Sequence, residues 1–207
     1  RQMIGLRYST YDTFTAADDG FPANYSGAAN PINIGHNAMA SHTYTFNSRL
    51  INDARAGFNR FVVDQKPQNF GTDPAGAIGL SGTNPSREVS SFPSIQTGYS
   101  GFGSGSNFVV SAETTYQVSD TLTWYAGRHT LKAGIDLRYL QANVFGSFVP
   151  FGQLRFGSIF SSNPAQANTG DVMADLLLGY PQSIQLNVQF SPLYNRQTLF
   201  GSFVQDE

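Results

Sequence analysis

Strict alternation of apolar and polar side chains is the feature of this sequence that most limits its fold. Between Leu131 and Tyr139 every odd-numbered residue is apolar or aromatic, and Lys132, Asp136 and Arg138 stand between them. Successive side chains of a β-strand point to opposite faces, so this segment predicts a strand with one apolar and one charged face. The same period of two, with more noise, predicts about eight strands. They lie near residues 4–9, 37–46, 53–59, 115–124, 131–139, 153–160, 184–190 and 197–205.

The length of the strands and the scarcity of charge together indicate a membrane environment. Most of the strands are expected to have about nine to thirteen residues, against five or six in globular proteins. Charged residues make up 13% of the 207 residues, about half of the share usual in soluble domains. No run approaches the roughly 18 consecutive apolar residues of a transmembrane helix. Because lipid admits only helices and closed barrels, the sequence predicts an all-β protein, a segment of an antiparallel up-and-down transmembrane β-barrel.

The connections between the predicted strands mostly alternate between short and long. Outer-membrane barrels have short periplasmic turns and longer outer loops, so with the first strand running outward both long segments fall outside. Segment 161–182 is the expected exception, because it is long and falls on the inner side. A short helix is predicted near 170–179, ending before Pro181. The short connections are 47–50 and 126–129, and the long ones, without a strong pattern, are 15–33 and 65–107.

Aromatic side chains cluster towards the strand ends. Membrane barrels carry aromatic girdles at both lipid–water interfaces, although Tyr and Phe are also common in strands of every kind. The cluster therefore supports a membrane barrel without requiring one. Its members are Tyr8, Tyr11, Tyr44, Phe46, Trp124, Tyr125, Tyr139 and Phe145.

No pattern for catalysis, for a cofactor or for a metal emerges, so we expect neither an enzyme nor a cofactor-binding protein. There is no cysteine. The glycines at 101, 103 and 105 lack the last glycine of a dinucleotide-binding loop. His36 and His42 would lie about 20 Å apart on one strand, too far to share a metal. Asp171 and Asp175 share a helical face but have no third ligand. A net charge of −2 without a basic patch argues against nucleic acid as a partner.

The charged side chains on the polar strand faces, together with the neutral Asn59, are the candidate functional residues. A charge facing lipid costs a few kcal/mol at the bilayer midplane, so these side chains are expected to face the barrel lumen. There they could contact a solute or an internal domain, or they could pair across strands and hold the register. The sequence leaves both roles open. The candidates are Asp53, Arg55, Asn59, Lys132, Asp136 and Arg138.

Several strings, in a consistent order, resemble a known family. The segment Gly-Arg-His-Thr-Leu-Lys-Ala-Gly-Ile-Asp-Leu-Arg at 127–138 resembles a hairpin of TonB-dependent receptors, most closely the Oar-like group that carries carboxypeptidase-regulatory-like domains. Segments 41–46, 50–52 and 55–60 are similar to the preceding hairpin of that family. The string Ala-Asp-Leu-Leu-Leu-Gly-Tyr-Pro at 174–181 and the string Phe-Val-Gln-Asp-Glu at 203–207 resemble two further segments.

This resemblance implies an active transporter of the cell outer membrane that takes up or exports a bulky, unidentified solute. In such receptors a plug domain fills a barrel of about 22 strands and a TonB box contacts the TonB complex. Residues 1–207 are then expected to be an internal part of the barrel domain, with the plug and the remaining strands absent and outer-membrane lipid around it. The alternatives are a passive porin, an adhesin-like outer-membrane barrel, or a soluble β-sandwich that binds carbohydrate.

Overall fold

A computed structural model of the chain describes residues 1–23, 25–104, 108–166, 168–187 and 191–207. Strands dominate these residues, and two short helices interrupt the connections. None of the helices in this part of the chain is long and apolar enough to cross a membrane. The elements are β1 (Gln2–Phe14), β2 (Ile32–Asn47), β3 (Leu50–Gln65), α1 (Pro74–Ala77), β4 (Ser94–Gln96), β5 (Gly101–Phe102), β6 (Phe108–Ala126), β7 (His129–Ser147), β8 (Gln153–Arg155), α2 (Val172–Leu178), β9 (Ser183–Gln185) and β10 (Leu193–Asp206).

The six long strands form one antiparallel sheet in the order β1-β2-β3-β6-β7-β10. Each strand pairs with the next long strand along the chain, so the sheet is an up-and-down meander. The sheet is open, with β1 and β10 at its edges. The predicted all-β class and antiparallel order are confirmed. Among the described residues, six strands of 13 to 19 residues build the sheet, rather than about eight.

The register carries the sequence alternation across all six strands. Directly opposite residues of an antiparallel pair lie on the same face, and Leu137 lies opposite Val118 on β6 and Phe200 on β10. Val118 in turn lies opposite Ala56, which lies opposite Ala40, and Ala40 lies opposite Leu6. We call the side that carries this row the apolar face and the opposite side the polar face.

All the long connections lie at one end of the sheet and both tight turns lie at the other. At the tight-turn end, Asn47 Oδ1 accepts a hydrogen bond from the backbone N–H of Arg49 at 2.8 Å. Gly127 has a φ of 68°, a left-handed value that suits the first central position of a two-residue hairpin turn. The prediction that segment 161–182 lies at the tight-turn end was wrong. That segment belongs to the connection from β7 to β10, which lies at the same end as the other long connections.

The described parts of the three long connections, 15–31, 66–107 and 148–192, fold together into what we call the cap. The cap contains a second sheet in the order β5-β4-β8-β9, in which β4 and β8 are parallel and join two of the connections. An isolated bridge between Ala29 and Pro67 attaches the third. Buried apolar side chains pack at its centre, and Phe102, Val172 and Leu176 lie against them. These buried side chains are Phe92, Ile95, Leu154 and Phe156.

The cap corrects three sequence predictions. Segment 153–160 is not a membrane strand, because only Gln153–Arg155 is extended and Leu154 is buried in the cap. Segment 184–190 contributes the three-residue β9, and its residues 188–190 lie outside the described part of the chain. Segment 65–107 was expected to lack structure but holds α1, β4 and β5. An alternating pattern indicates that one face of a strand is covered, but lipid and a protein core produce the same pattern. This is why the sequence could not separate membrane strands from strands of the cap.

Helix α2 lies where the sequence predicted a short helix. Asp171 is its N-cap, and its carboxylate accepts hydrogen bonds from the backbone N–H groups of Met173 and Ala174. Gly179 ends the helix with a φ of 76°, and the Tyr180 N–H donates to the Asp175 carbonyl at 3.1 Å. This six-to-one hydrogen bond is the Schellman arrangement that commonly ends helices at glycine.

Candidate functional site

All six predicted candidate residues lie on the polar face. Asp53, Arg55 and Asn59 are on β3, and Lys132, Asp136 and Arg138 are on β7, with β6 between the two strands. Arg55 and Asp136 lie in one register row, because each of them is directly opposite Ser119. Two strand spacings separate their backbones, which is about 10 Å. The structure therefore brings the candidates into one charged strip.

The two aspartates of this strip have matching surroundings. Asp53 Oδ1 is 2.6 Å from the Nε of Arg55, and Asp53 Oδ2 accepts a hydrogen bond from the Thr43 hydroxyl at 2.9 Å. Asp136 Oδ1 is 2.7 Å from the Nε of Arg138, and the Gln117 amide donates to its other oxygen. In each case the arginine is two residues further along the same strand and the neutral donor comes from the preceding strand.

The two Asp–Arg ion pairs contribute little to holding neighbouring strands together. Each arginine pairs along its own strand, so the ion pair itself does not hold the register between strands. The cross-strand bonds come from the neutral side chains of Thr43 and Gln117. The Arg55 and Arg138 side chains are 61% and 49% exposed. Ion pairs this open to solvent contribute about 0–1 kcal/mol, so much of the charge of both guanidinium groups is available to another partner.

A cross-strand ion pair lies instead at the tight-turn end of the polar strip, where Lys132 Nζ is 3.2 Å from a carboxylate oxygen of Glu207. On the apolar face, His129 Nδ1 lies 3.0 Å from the Asp206 carboxylate. Both contacts join the start of β7 to residues 206 and 207 at the end of β10. Lys132 therefore holds the register, one of the two roles that the sequence left open. Asn59 is exposed on the polar face at the opposite end of the strip, between Asn37 and Thr115 in the register.

Sequence reasoning missed a further cation on the polar face and several charged side chains on the apolar face, of which Arg60 and Asp120 lie on the central strands β3 and β6. Arg7 of β1 is exposed on the polar face in the same register row as Arg138. Its place between Leu6 and Tyr8 was the available signal. Arg60 and Asp120 break the alternation and lie on the apolar face. Asp120 accepts a hydrogen bond from the Asn52 amide at 2.5 Å, and Arg60 donates to the Thr114 hydroxyl at 2.9 Å.

Two rows of aromatic side chains cross the apolar face. Tyr116 and Trp124 of β6 mark the two rows, eight residues apart, which is about 27 Å along a strand. For a strand tilted by about 40° the rows are about 20 Å apart in depth, close to the apolar band of membrane barrels. Tyr11 and Tyr125, which the sequence grouped with the girdles, lie on the polar face. The row nearer the cap contains Tyr8, Phe58, Tyr116 and Tyr139, and the other contains Tyr44, Phe46 and Trp124.

Asp175, which the sequence offered as one of two carboxylates on a helical face, is fully buried in the cap. Its carboxylate accepts hydrogen bonds from the backbone N–H groups of Phe160 at 3.0 Å and Ser161 at 2.7 Å. Burial acts to raise the pKa of Asp175, but these bonds and one from the Ser161 hydroxyl outweigh it and hold the pKa below its ordinary value. Asp175 thus anchors segment 159–161 to α2. In the described part of the chain no three His, Asp or Glu side chains come together in a cluster that could hold a metal ion.

The fold and the two faces define a class of protein, a β-sheet with an apolar band for lipid and a charged strip on its other side. The comparison with protein families agrees. The whole chain, residues 1–207, matches the family described as outer membrane beta barrel domain, and the chain belongs to this family. Its place is therefore the cell outer membrane. No curated protein and no solved structure matches the chain.

Proposed function

We propose that this chain is part of the barrel of a TonB-dependent receptor, an active transporter that carries a bulky solute across the outer membrane. Family membership supports the barrel, and the resemblance of several segments to TonB-dependent receptors supports the finer assignment. Segment 127–138 forms a tight hairpin turn and the start of β7. Segment 174–181 forms most of α2 with its glycine end. Both strings thus have a defined structural role.

The charged strip on the polar face is the observation that carries this proposal. The apolar face meets lipid, so in a closed barrel the opposite face lines the interior. Arg55 and Arg138 present half-exposed guanidinium groups there, beside carboxylates that are already hydrogen-bonded. Arg7 adds a third cation in the same row as Arg138. Such a surface suits contact with a polar plug domain or with a solute that carries hydrogen-bonding groups.

A passive porin or an adhesin-like barrel is the second candidate, and the cap favours it in one respect. The cap has its own buried apolar side chains and its own sheet. An ordered outer layer of this kind would suit an adhesive surface as well as a receptor. The soluble β-sandwich is not proposed further, because the chain belongs to an outer-membrane family.

Electrical conductance of the full-length protein in planar lipid bilayers distinguishes the two candidates without knowledge of the solute. A receptor whose barrel is filled by a plug is expected to conduct no steady current, and to open reversibly when urea displaces the plug. A matched variant without the plug should conduct from the start. Steady open-channel conductance of the unmodified protein, with no binding of the periplasmic domain of TonB, would contradict active transport and support the porin.

A further inference from the structure

The middle of the apolar face, between the two aromatic rows, contains a groove floored by small side chains. Two adjoining depressions of about 420 Å³ and about 390 Å³ share Ala40 and Ala56 in their linings. Leu6 borders the groove on β1, and Val118 borders it on β6. Both are larger than alanine and lie in the same register row as the floor. We call this depression the alanine groove; its floor is Ala38, Ala40, Ala54 and Ala56.

Neighbouring aromatic rings engage partners outside the groove. The Phe58 ring packs against the Tyr116 ring of β6 at 5.4 Å between centroids. The Tyr8 hydroxyl is 2.8 Å from His36 Nδ1, and its ring stacks on the His36 ring, closer to the cap. The rings therefore border the cap end of the alanine groove, and its floor stays available to a long apolar chain.

A cation stands at the cap end of the alanine groove. Arg60, His36 and Thr10 form one register row on the apolar face, directly beyond Tyr8, Ala38 and Phe58. Arg60 is exposed, donates one hydrogen bond to Thr114, and has no ion-pair partner among the described residues. Asp64, four residues further on, is already paired with Lys66 at 2.8 Å. A guanidinium group is well suited to hold a phosphate.

We propose that the alanine groove and Arg60 together bind one phosphate-bearing lipid of the membrane leaflet nearer the cap, which is the outer leaflet because long loops of outer-membrane barrels face outward. The acyl chain lies over the alanines and the phosphate contacts Arg60. From Ala54 to Arg60 is about 20 Å along the strand, or about 15 Å in depth at a tilt of about 40°. That depth is one leaflet of a hydrocarbon core of about 30 Å. The proposal depends on the outer-membrane family and not on active transport.

The test is lipid binding to the full-length protein in a neutral detergent, followed by native mass spectrometry. The probes are diphosphorylated lipid A and the same lipid with its phosphates removed. Arg60→Gln is expected to weaken binding of the phosphorylated lipid about tenfold or more, since it removes a charge-assisted hydrogen bond. It should leave the dephosphorylated lipid unaffected. Ala40→Phe fills the alanine groove with an apolar side chain and is expected to weaken binding of both lipids.

Arg196→Gln is the matched control, because Arg196 lies in the same register row as Arg60 but on β10, three strands away. It is expected to bind both lipids like the unmodified protein. An equal loss of binding in Arg60→Gln and Arg196→Gln would overturn the proposal in favour of a general charge effect. Unchanged binding of the phosphorylated lipid to Arg60→Gln would also overturn it, because the phosphate would then not contact Arg60. Resistance of the folded barrel to unfolding in cold detergent shows that each variant has assembled. If Ala40→Phe fails to assemble, Ala54→Leu fills the other end of the groove.

Discussion

The sheet and the cap bury their apolar side chains in opposite ways. Among the described residues, the buried apolar side chains belong to the cap, except for Phe108 at the cap end of β6. In the sheet, large apolar side chains are exposed, and Leu6 and Val204 reach 81% and 82%. The buried apolar residues of the cap are Ala28, Ala75, Phe92, Ile95, Phe151, Leu154 and Phe156.

This difference shows that the apolar side chains of the cap and those of the sheet are kept from water in two different ways. The cap excludes water with its own core, as a soluble domain does. The sheet has no comparable core, so its apolar face must be covered by lipid. Aromatic rings join the two regions, where Phe108 packs against Phe70 and Phe151 of the cap at 5.1 and 5.8 Å between centroids. The cap should therefore be destabilised by a cavity in its core, and the sheet by a charge on its apolar face.

The largest effect is expected from a cavity in the cap. Leu154→Ala should destabilise the cap by about 2–5 kcal/mol, because Leu154 is 6% exposed in the cap core and leaves a cavity when truncated. Hydrogen exchange of the full-length protein in lipid should show faster exchange in β4 and β8 and unchanged exchange in β3 and β6. Leu177→Ala is the matched control, because Leu177 on α2 is 85% exposed, and it should change stability by less than about 0.5 kcal/mol. Equal loosening of cap and sheet would show that the two regions form one cooperative unit.

A slightly smaller effect is expected from a charge on the apolar face. Val118→Lys should destabilise the membrane-inserted protein by about 2–4 kcal/mol, because the ammonium group would meet lipid. Ser119→Lys, one residue along on the polar face, should change stability by less than about 1 kcal/mol, since attraction to Asp136 on one side and repulsion from Arg55 on the other offset each other at an exposed site. Denaturant titration of the full-length protein folded into lipid vesicles measures both. A cost for Ser119→Lys as large as that for Val118→Lys would refute the assignment of the two faces.

The smallest effect is expected from acid and should be confined to the cap. The folded pKa of Asp175 lies below its ordinary value of 3.8. Its ionised carboxylate therefore stabilises the cap fully above that value, and the contribution is lost as the pH falls through the lowered folded pKa. The protection of residues 159–161 against hydrogen exchange, measured relative to the intrinsic exchange rate at each pH, should fall as the pH drops below 3.8. Asp175→Asn should loosen the same segment at neutral pH and remove this pH dependence; an unchanged pH profile in that variant would exclude Asp175 as the anchor.

More of the sheet than of the cap could be predicted from the sequence. Alternation placed Asp53, Arg55, Lys132, Asp136 and Arg138 on one face, and the register confirms this. The shared helical face of Val172 and Leu176 and the proline at 181 were sufficient to predict α2. The alternation at 153–160 wrongly predicted a membrane strand, because Leu154 and Phe156 are buried in the protein core of the cap and not against lipid. Asp175 had no local signal for burial, since its partners are the backbone of residues 160 and 161, on another segment.

The sequence by itself determined the six long strands, their two faces and the tight turns, because alternation and turn chemistry depend on residues that are close together along the chain. Only the tertiary structure decided that three separate connections fold into one cap. It also decided that Arg60 stands at the end of the alanine groove and that Arg55 and Asp136 share a row. These contacts join residues that are far apart in the sequence, and the free energy that selects them comes from strand pairing and burial, which no local period records.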